Sequence, residues 1–305
     1  MSTTTFRAAV VRTPNGPDSI EIIDVPVAEP GPGQIRVAIA AATVNPTDLG
    51  VAAGFFHSIG LVNQPEHTGL GWEFAGTVAA AGEGAGLAVG TRVAGLVVGF
   101  DRDYGTYAEQ IVVAASDVAV VPDGLELTAA ATVPLNAQAA ALIADLLGDA
   151  PADAARLLVT GAAGAVGANV AVLARERRWQ VTGLARAEDE SFVRGLGADF
   201  TTDAKPGWDA VVDAAQLNEA ALALVRDDGT YVGLRPGMAP PAERGITTTA
   251  LFTTPDSVRL ADLLARTAAG ELPARVHAVV PLEEAAAAHK ATARSGLRGR
   301  YVLQP

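Results

Sequence analysis

The chain has 305 residues, half of them hydrophobic and 18% charged, which describes a well-cored globular protein and favours two domains over one. A formal net charge of −12 leaves no basic face for nucleic acid, and the absence of cysteine excludes disulfides, thiol catalysis and thiolate-held metal. The N-terminal run Met1-Ser2-Thr3-Thr4-Thr5-Phe6-Arg7 carries no apolar core for export, and no apolar stretch approaches membrane-spanning length, so the chain reads as a soluble cytoplasmic protein.

Residues 6 to about 121 read as short strands broken by Gly and Pro. Arg7–Val11, Ile20–Val25, Gln34–Ala40, Phe74–Ala79, Thr91–Leu96 and Ala108–Val113 form the series, and their even spacing suits a small β-barrel-like module. From Leu127 the pattern changes to helices alternating with single apolar strands. Ala129 to Leu147 predicts a helix that Pro134 should break or kink. Strands at Leu157–Val159, Gln180–Ala185, Ala210–Asp213 and Thr230–Leu234 then alternate with helices ending near Arg178, near Glu190–Leu196 and over Asn218–Arg226. This is βαβ alternation, and it predicts a doubly wound parallel (Rossmann) sheet. A last strand is expected at Ile246 to Phe252, and a tail helix flanked by short strands should return to the first module.

The pivot is Arg156-Leu157-Leu158-Val159-Thr160-Gly161-Ala162-Ala163-Gly164-Ala165-Val166-Gly167, an apolar strand running into glycines at every third residue and then a helix. Strand, glycine turn and helix in that order make a phosphate-binding corner, with backbone N–H groups at the helix start facing the anion. Thr160, Gly161, Ala163, Gly164, Ala165, Val166 and Gly167 are therefore candidate cofactor contacts. The ends of the later strands add Ala185 and Arg186, Ala214, and Gly233 and Leu234. A dinucleotide without a 2′-phosphate is usually met by Asp or Glu at the end of the second strand, whereas a 2′-phosphate wants a cation. Arg186 stands there, forked and suited to phosphate, although Glu188, Asp189 and Glu190 just beyond are competing partners. The expected cofactor is NADP(H).

Several motifs carry a family resemblance: Pro30-Gly31-Pro32-Gly33, Val44-Asn45-Pro46-Thr47-Asp48, Gly71-Trp72-Glu73-Phe74-Ala75-Gly76, Gly105-Thr106-Tyr107-Ala108-Glu109, the pivot, Gly195-Leu196-Gly197-Ala198-Asp199 and Gly299-Arg300-Tyr301-Val302-Leu303. Together they resemble the medium-chain dehydrogenase/reductase superfamily, and more narrowly its zinc-independent, quinone-oxidoreductase-like branch. The resemblance implies a GroES-like β-barrel-type domain over residues 1–121, completed by 256–305, and a Rossmann domain over 122–255. It also implies a homodimer formed through the Rossmann domain, for which the uncharged stretch Ile246–Phe252 offers a sheet edge.

Zinc-dependent members of the family place Cys near Asn45 and His near Trp72. Neither ligand is present here, and a substitute set from His57, His67, Glu66 and Glu73, which offers imidazole and carboxylate but no thiolate, is imaginable but disfavoured. Without metal, the resemblance implies hydride transfer to a quinone or an α,β-unsaturated carbonyl, where charge developing on a conjugated oxygen is met by hydrogen bonds. Asn45 is the candidate catalytic residue, its amide orienting substrate or nicotinamide; the competing reading is a turn residue before Pro46. Asp48 reads as a cap, Tyr107 as packing, and His57 and His67 as loop histidines that could donate a proton. The family's pocket Tyr and Thr fall at Gly50 and near Ala139, with Phe55-Phe56, Asn136 and Gln138 as neighbours, and a lysine common beyond Arg186 falls near Glu190. These departures keep open an alternative, an NADPH-binding sensor or structural protein with little turnover. A short-chain reductase is disfavoured because no Tyr is followed four positions later by Lys.

Overall fold

The computed structural model describes residues 4–151, 154–235, 237–294 and 296–305, so Met1-Ser2-Thr3 of the N-terminal run lies outside the described residues. The chain divides into two units, Met1–Leu135 with Thr254–Pro305, and Asn136–Thr253.

The first unit is built on strands β1 (Thr5–Val11), β2 (Ile20–Pro26) and β3 (Gln34–Thr43), helices α1 (Pro46–Ala52) and α2 (Phe55–Ser58), strands β4 (Thr68–Gly69), β5 (Glu73–Ala81), β6 (Arg92–Leu96), β7 (Gln110–Ala114) and β8 (Val118–Val120), and helix α3 (Leu127–Ala130). Strand β3 is the hub: it pairs antiparallel with both β5 and β7. Its inward residues Ile35, Val37 and Ile39 alternate with less buried neighbours, the period-two pattern the sequence shows. They join Phe74, Val78, Val93 and Ile111 in one apolar core. Each such side chain taken out of water is worth roughly 1.5–3 kcal/mol. The expected boundary at residue 121 moves to 135, because α3 packs on β3 and β5 of this unit.

The second unit runs through helix α4 (Asn136–Leu147), strand β9 (Arg156–Thr160), helix α5 (Ala165–Glu176), strand β10 (Gln180–Leu184), helix α6 (Glu190–Gly195), strands β11 (Asp199–Thr201) and β12 (Trp208–Asp213), helix α7 (Glu219–Leu222), and strands β13 (Val225–Gly233) and β14 (Thr247–Ala250). All pairings are parallel, in the order β11-β10-β9-β12-β13-β14. Leu157, Leu158 and Val159 are each fully buried, as a strand covered on both faces requires. The chain leaves β9 toward one edge and later returns beside it as β12, so the order reverses between these two strands. That reversal is where doubly wound sheets open a crevice at their carboxyl ends.

The break expected at Pro134 is present: the stretch Ala129–Leu147 is divided between α3 and α4, because Pro134 supplies no N–H and restricts the residue before it. Two other expectations are corrected. The helix expected over Asn218–Arg226 shrinks to Glu219–Leu222. Val225 instead opens β13, fully buried opposite Trp208, while Arg226 turns outward to pair with Asp209 at 2.7 Å. The final strand is shorter than Ile246–Phe252 but occupies the sheet edge.

The chain then rejoins the first unit through helix α8 (Ser257–Ala268), strand β15 (Val276–Pro281), helix α9 (Ala285–Thr292) and strand β16 (Arg300–Gln304). Asp256 starts α8 by accepting the Arg259 N–H at 2.9 Å. Strand β16 pairs with β3 through Val302 and Leu303, and Arg300 opens the strand two residues earlier.

Candidate functional site

In the second unit the register places Thr160 opposite both Leu184 and Asp213, and Asp213 opposite Gly233. The residues that follow these strand ends are Gly161, Ala185 with Arg186, Ala214 and Leu234. The structure therefore brings the cofactor candidates to one edge of the sheet, around the reversal between β9 and β12. Gly161 turns the chain with φ of 61°, and Gly164 stands immediately before α5. The two later glycines differ in what a side chain would meet. A Cβ on Gly167 would lie 2.4 Å from the Gly161 carbonyl oxygen, so this glycine lets the helix seat on the turn. A Cβ on Gly164 would meet only that oxygen, at 3.1 Å. The space beside Gly164, at the mouth of a twelve-residue helix, fits a phosphate that the first-turn N–H groups can reach. The residues present thus fit a dinucleotide. Arg186 is exposed and forms no ion pair with another described residue.

In the first unit, the residue at the centre is one the sequence offered only within a family motif and as a metal ligand. Glu73, fully buried, accepts from the Thr43 hydroxyl, from the Asn45 amide at 2.9 Å and from the Leu135 N–H at 2.7 Å. Arg300 donates through Nε to Asn45 Oδ1 at 2.8 Å. Asn45 also donates to Thr43 Oγ1 at 2.9 Å, so both ends of its amide are engaged inside this cluster. Burial raises the Glu73 carboxyl, opposed by the Thr43, Asn45 and Leu135 hydrogen bonds and by Arg300. Burial also lowers Arg300, opposed by Glu73. The sequence signals for these two were their places in the Gly71–Gly76 and Gly299–Leu303 motifs and a charged residue opening each strand.

Asp48 does cap α1, accepting the Asn45 N–H at 2.9 Å, but its other oxygen accepts the Gly71 N–H at 2.9 Å. Burial pushes its carboxyl up to about 6, against those N–H bonds and the nearby Arg102 and Tyr107. Tyr107 is buried and its hydroxyl lies 3.3 Å from Nε2 of His289. His57 Nε2 sits 3.1 Å from the Thr68 hydroxyl. Phe56 explains Gly50: a Cβ there would approach Cε2 of the Phe56 ring to 2.8 Å. Phe56 stacks on Phe100 at 3.8 Å, and Phe100 meets Trp72 edge-on at 5.0 Å. Ala139, Asn136 and Gln138 are all buried in α4.

Burial pushes the His289 imidazole down from 6.5 to about 4. A base whose folded pKa is depressed takes up its proton more readily when unfolded, so its contribution is complete above about 6.5 and lost as pH falls towards 4. Replacing His289 with Leu should therefore cost most stability at pH 7. The difference from wild type should shrink as urea unfolding is repeated down to pH 4.5. A difference independent of pH would show that the imidazole does not titrate between the two states.

Zinc does not fit the ligand positions. Asn45 spends its amide within the cluster, Trp72 is packed against Phe100 under the Arg102 guanidinium, and no group of three His, Cys, Asp or Glu among the described residues is arranged to hold a metal. No helix among the described residues is long and apolar enough to cross a membrane.

The alcohol dehydrogenase GroES-like domain family matches residues 31–123, and the zinc-binding dehydrogenase family matches residues 188–303. A pikromycin polyketide synthase component of Streptomyces venezuelae is 37% identical over 171 residues, 55% of this chain and 4% of that protein. The 2-methylene-furan-3-one reductase of Solanum lycopersicum is 28% identical over 230 residues, 70% of this chain and 58% of that protein. The chain spans less than two thirds of the length of both sequence relatives. The structure of a quinone oxidoreductase from Coxiella burnetii matches with a TM-score of 0.84 at 20% identity, over 99% of this chain and 100% of that one, a likeness of fold.

Proposed function

Because the chain belongs to the medium-chain dehydrogenase/reductase superfamily, we propose that it is an NADPH-dependent, metal-independent oxidoreductase that reduces a quinone or an α,β-unsaturated carbonyl. The observation that carries this reading is the open backbone corner at Gly164, on the same sheet edge as the unpaired Arg186. The bound nicotinamide supplies hydride to an electrophilic carbon. Gly161 and the α5 N-terminus, with Ala163, Ala165 and Val166, hold the pyrophosphate, while Gly167 keeps the helix close enough for its N–H groups to reach it. Ala185 and Arg186 receive the adenosine side, and Ala214, Gly233 and Leu234 line the remaining strand ends. Asn45 acts as a positioning residue: its engaged amide holds Arg300 beside Glu73 and is not spent on the substrate. The similarity to the 2-methylene-furan-3-one reductase of Solanum lycopersicum supports the substrate class. Turnover of NADPH against a panel of quinones and enones tests it, and consumption with neither would refute it.

Arg186 sets the preference between cofactors. One charge-assisted phosphate contact is worth roughly 1.5–3 kcal/mol, so Arg186→Ala should weaken NADPH about ten- to a hundredfold and leave NADH nearly unchanged. Equal losses for both would show that Arg186 does not meet the 2′-phosphate.

The functional molecule is a homodimer joined through β14. This edge strand, Thr247-Thr248-Thr249-Ala250, carries no charge and no proline, the usual protections against pairing with a copy. Light scattering at micromolar concentration should give twice the chain mass; a monomer mass refutes the dimer.

A further inference from the structure

We propose that Asp213 is a positioning residue for the dinucleotide, holding the loop after β12 against the glycine corner before the cofactor arrives. This rests on the reading of Gly161–Gly167 as the dinucleotide site. Asp213 is buried, and its two oxygens accept from four donors. Oδ1 takes the Thr160 hydroxyl at 2.7 Å and the Leu217 N–H at 3.0 Å. Oδ2 takes the Asn218 N–H at 2.7 Å and the Tyr231 hydroxyl at 3.0 Å. The donors come from β9, from β13 and from the loop itself, and all are neutral. A carboxylate taken out of water without a counter-ion is costly, and here four hydrogen bonds offset that cost.

The loop wound around this carboxylate is strained. Gln216 and Asn218 both have positive φ, 59° and 53°, although neither is glycine. Residues held in such conformations persist where their surroundings over-determine them, and they concentrate at ligand sites. The same carboxylate also fixes where the loop lies. The Thr160 hydroxyl that donates to Asp213 accepts the Ala215 N–H at 3.0 Å. Ala215 thereby sits against Gly161, where a Cβ would find the Ala215 nitrogen at 3.2 Å. Thr160 and Asp213 are both buried, so neither side chain needs to touch the cofactor to act on it. They set the distance between the pyrophosphate turn and the loop beside it, across the crevice where the strand order reverses. A misplacement there would weaken binding without removing any direct contact.

Two variants test this. Asp213→Asn keeps one acceptor but turns a donor towards the Asn218 N–H. Tyr231→Phe removes the single hydroxyl that donates to Asp213 Oδ2, and it should fold. The readouts are NADPH affinity by fluorescence titration, circular dichroism, and amide exchange at Leu217 and Asn218 in cofactor-free protein. Asp213→Asn should weaken NADPH about thirty- to a hundredfold, and Tyr231→Phe about threefold, with both amides exchanging at least tenfold faster and the circular dichroism unchanged. KM for NADPH should rise in step while kcat at saturating cofactor moves less than threefold. Unchanged affinity in folded Asp213→Asn overturns the proposal. So does unchanged affinity in Tyr231→Phe if Asp213→Asn fails to fold. Failure of the wild type to bind NADPH overturns instead the functional reading on which the proposal rests, whereas unaltered amide exchange removes the loop-holding role whatever the cofactor.

Discussion

Gly164→Val is expected to abolish NADPH binding in a protein that still folds. A side chain at Gly164 meets only the Gly161 carbonyl oxygen, at 3.1 Å, so the neighbouring turn needs to give by a few tenths of an ångström. The valine methyl groups would then stand in the space at the α5 N-terminus. Loss of two charge-assisted contacts from the first-turn N–H groups costs roughly 3–6 kcal/mol, at about 1.5–3 kcal/mol each. That corresponds to a loss of affinity of at least about a hundredfold. Gly167 is the control for the alternative explanation. Its Cβ would press to 2.4 Å against backbone, so Gly167→Val should instead destabilise the second unit itself. Calorimetric titration with NADPH, paired with circular dichroism, separates the two. Wild-type affinity in folded Gly164→Val would move the cofactor elsewhere.

The second large effect belongs to the first unit. Glu73→Ala should lower stability by about 3–5 kcal/mol, the usual cost of removing one partner of a buried charged pair. The penalty has identifiable sources. Arg300 loses one of the two carboxylates that favour its charge, Asp48 being the other, and the Thr43 hydroxyl, the Asn45 amide and the Leu135 N–H lose an acceptor that is fully buried. Glu73→Gln, which retains one acceptor oxygen, should cost less. Urea unfolding of the three proteins at pH 7 checks the order. A loss below about 1 kcal/mol for the alanine variant would mean that Arg300 and Asn45 find other partners, since exposed pairs contribute on that scale.

What was legible in the sequence was what local chemistry dictates. The run from Leu157 through Gly167 announced strand, turn and helix because each residue type has one good reason to be there, and Pro134 announced a break. The alternation along Gln34–Thr43 announced a half-buried strand. Less local features were harder to read. Val225 reads as part of a helix until Trp208 and the sheet claim it across seventeen residues of chain. Glu73 and Arg300 are 227 positions apart in sequence, and only strand β16 folding back on β3 brings them to the same cluster. Asn45 stood out as a polar residue at a family position, but its partners Thr43, Glu73 and Arg300 were invisible. Gly50 looked like a missing hydroxyl until Phe56 was seen across its face. Asp213 carried no signal beyond ending an apolar strand, because its meaning lies in the four donors that converge on it.

Isotope transfer tests most directly the proposed movement of hydride from NADPH to a conjugated carbon without metal. NADPH carrying deuterium at both C4 positions is incubated with metal-chelated enzyme and a cyclic enone in ordinary water, and the reduced product is examined by mass spectrometry and proton NMR. A single deuterium is expected at the β carbon, with the α carbon taking its hydrogen from solvent. NADPH bound tightly with no labelled product across the enone and quinone panel, or labelling that disappears with the metal, would contradict it.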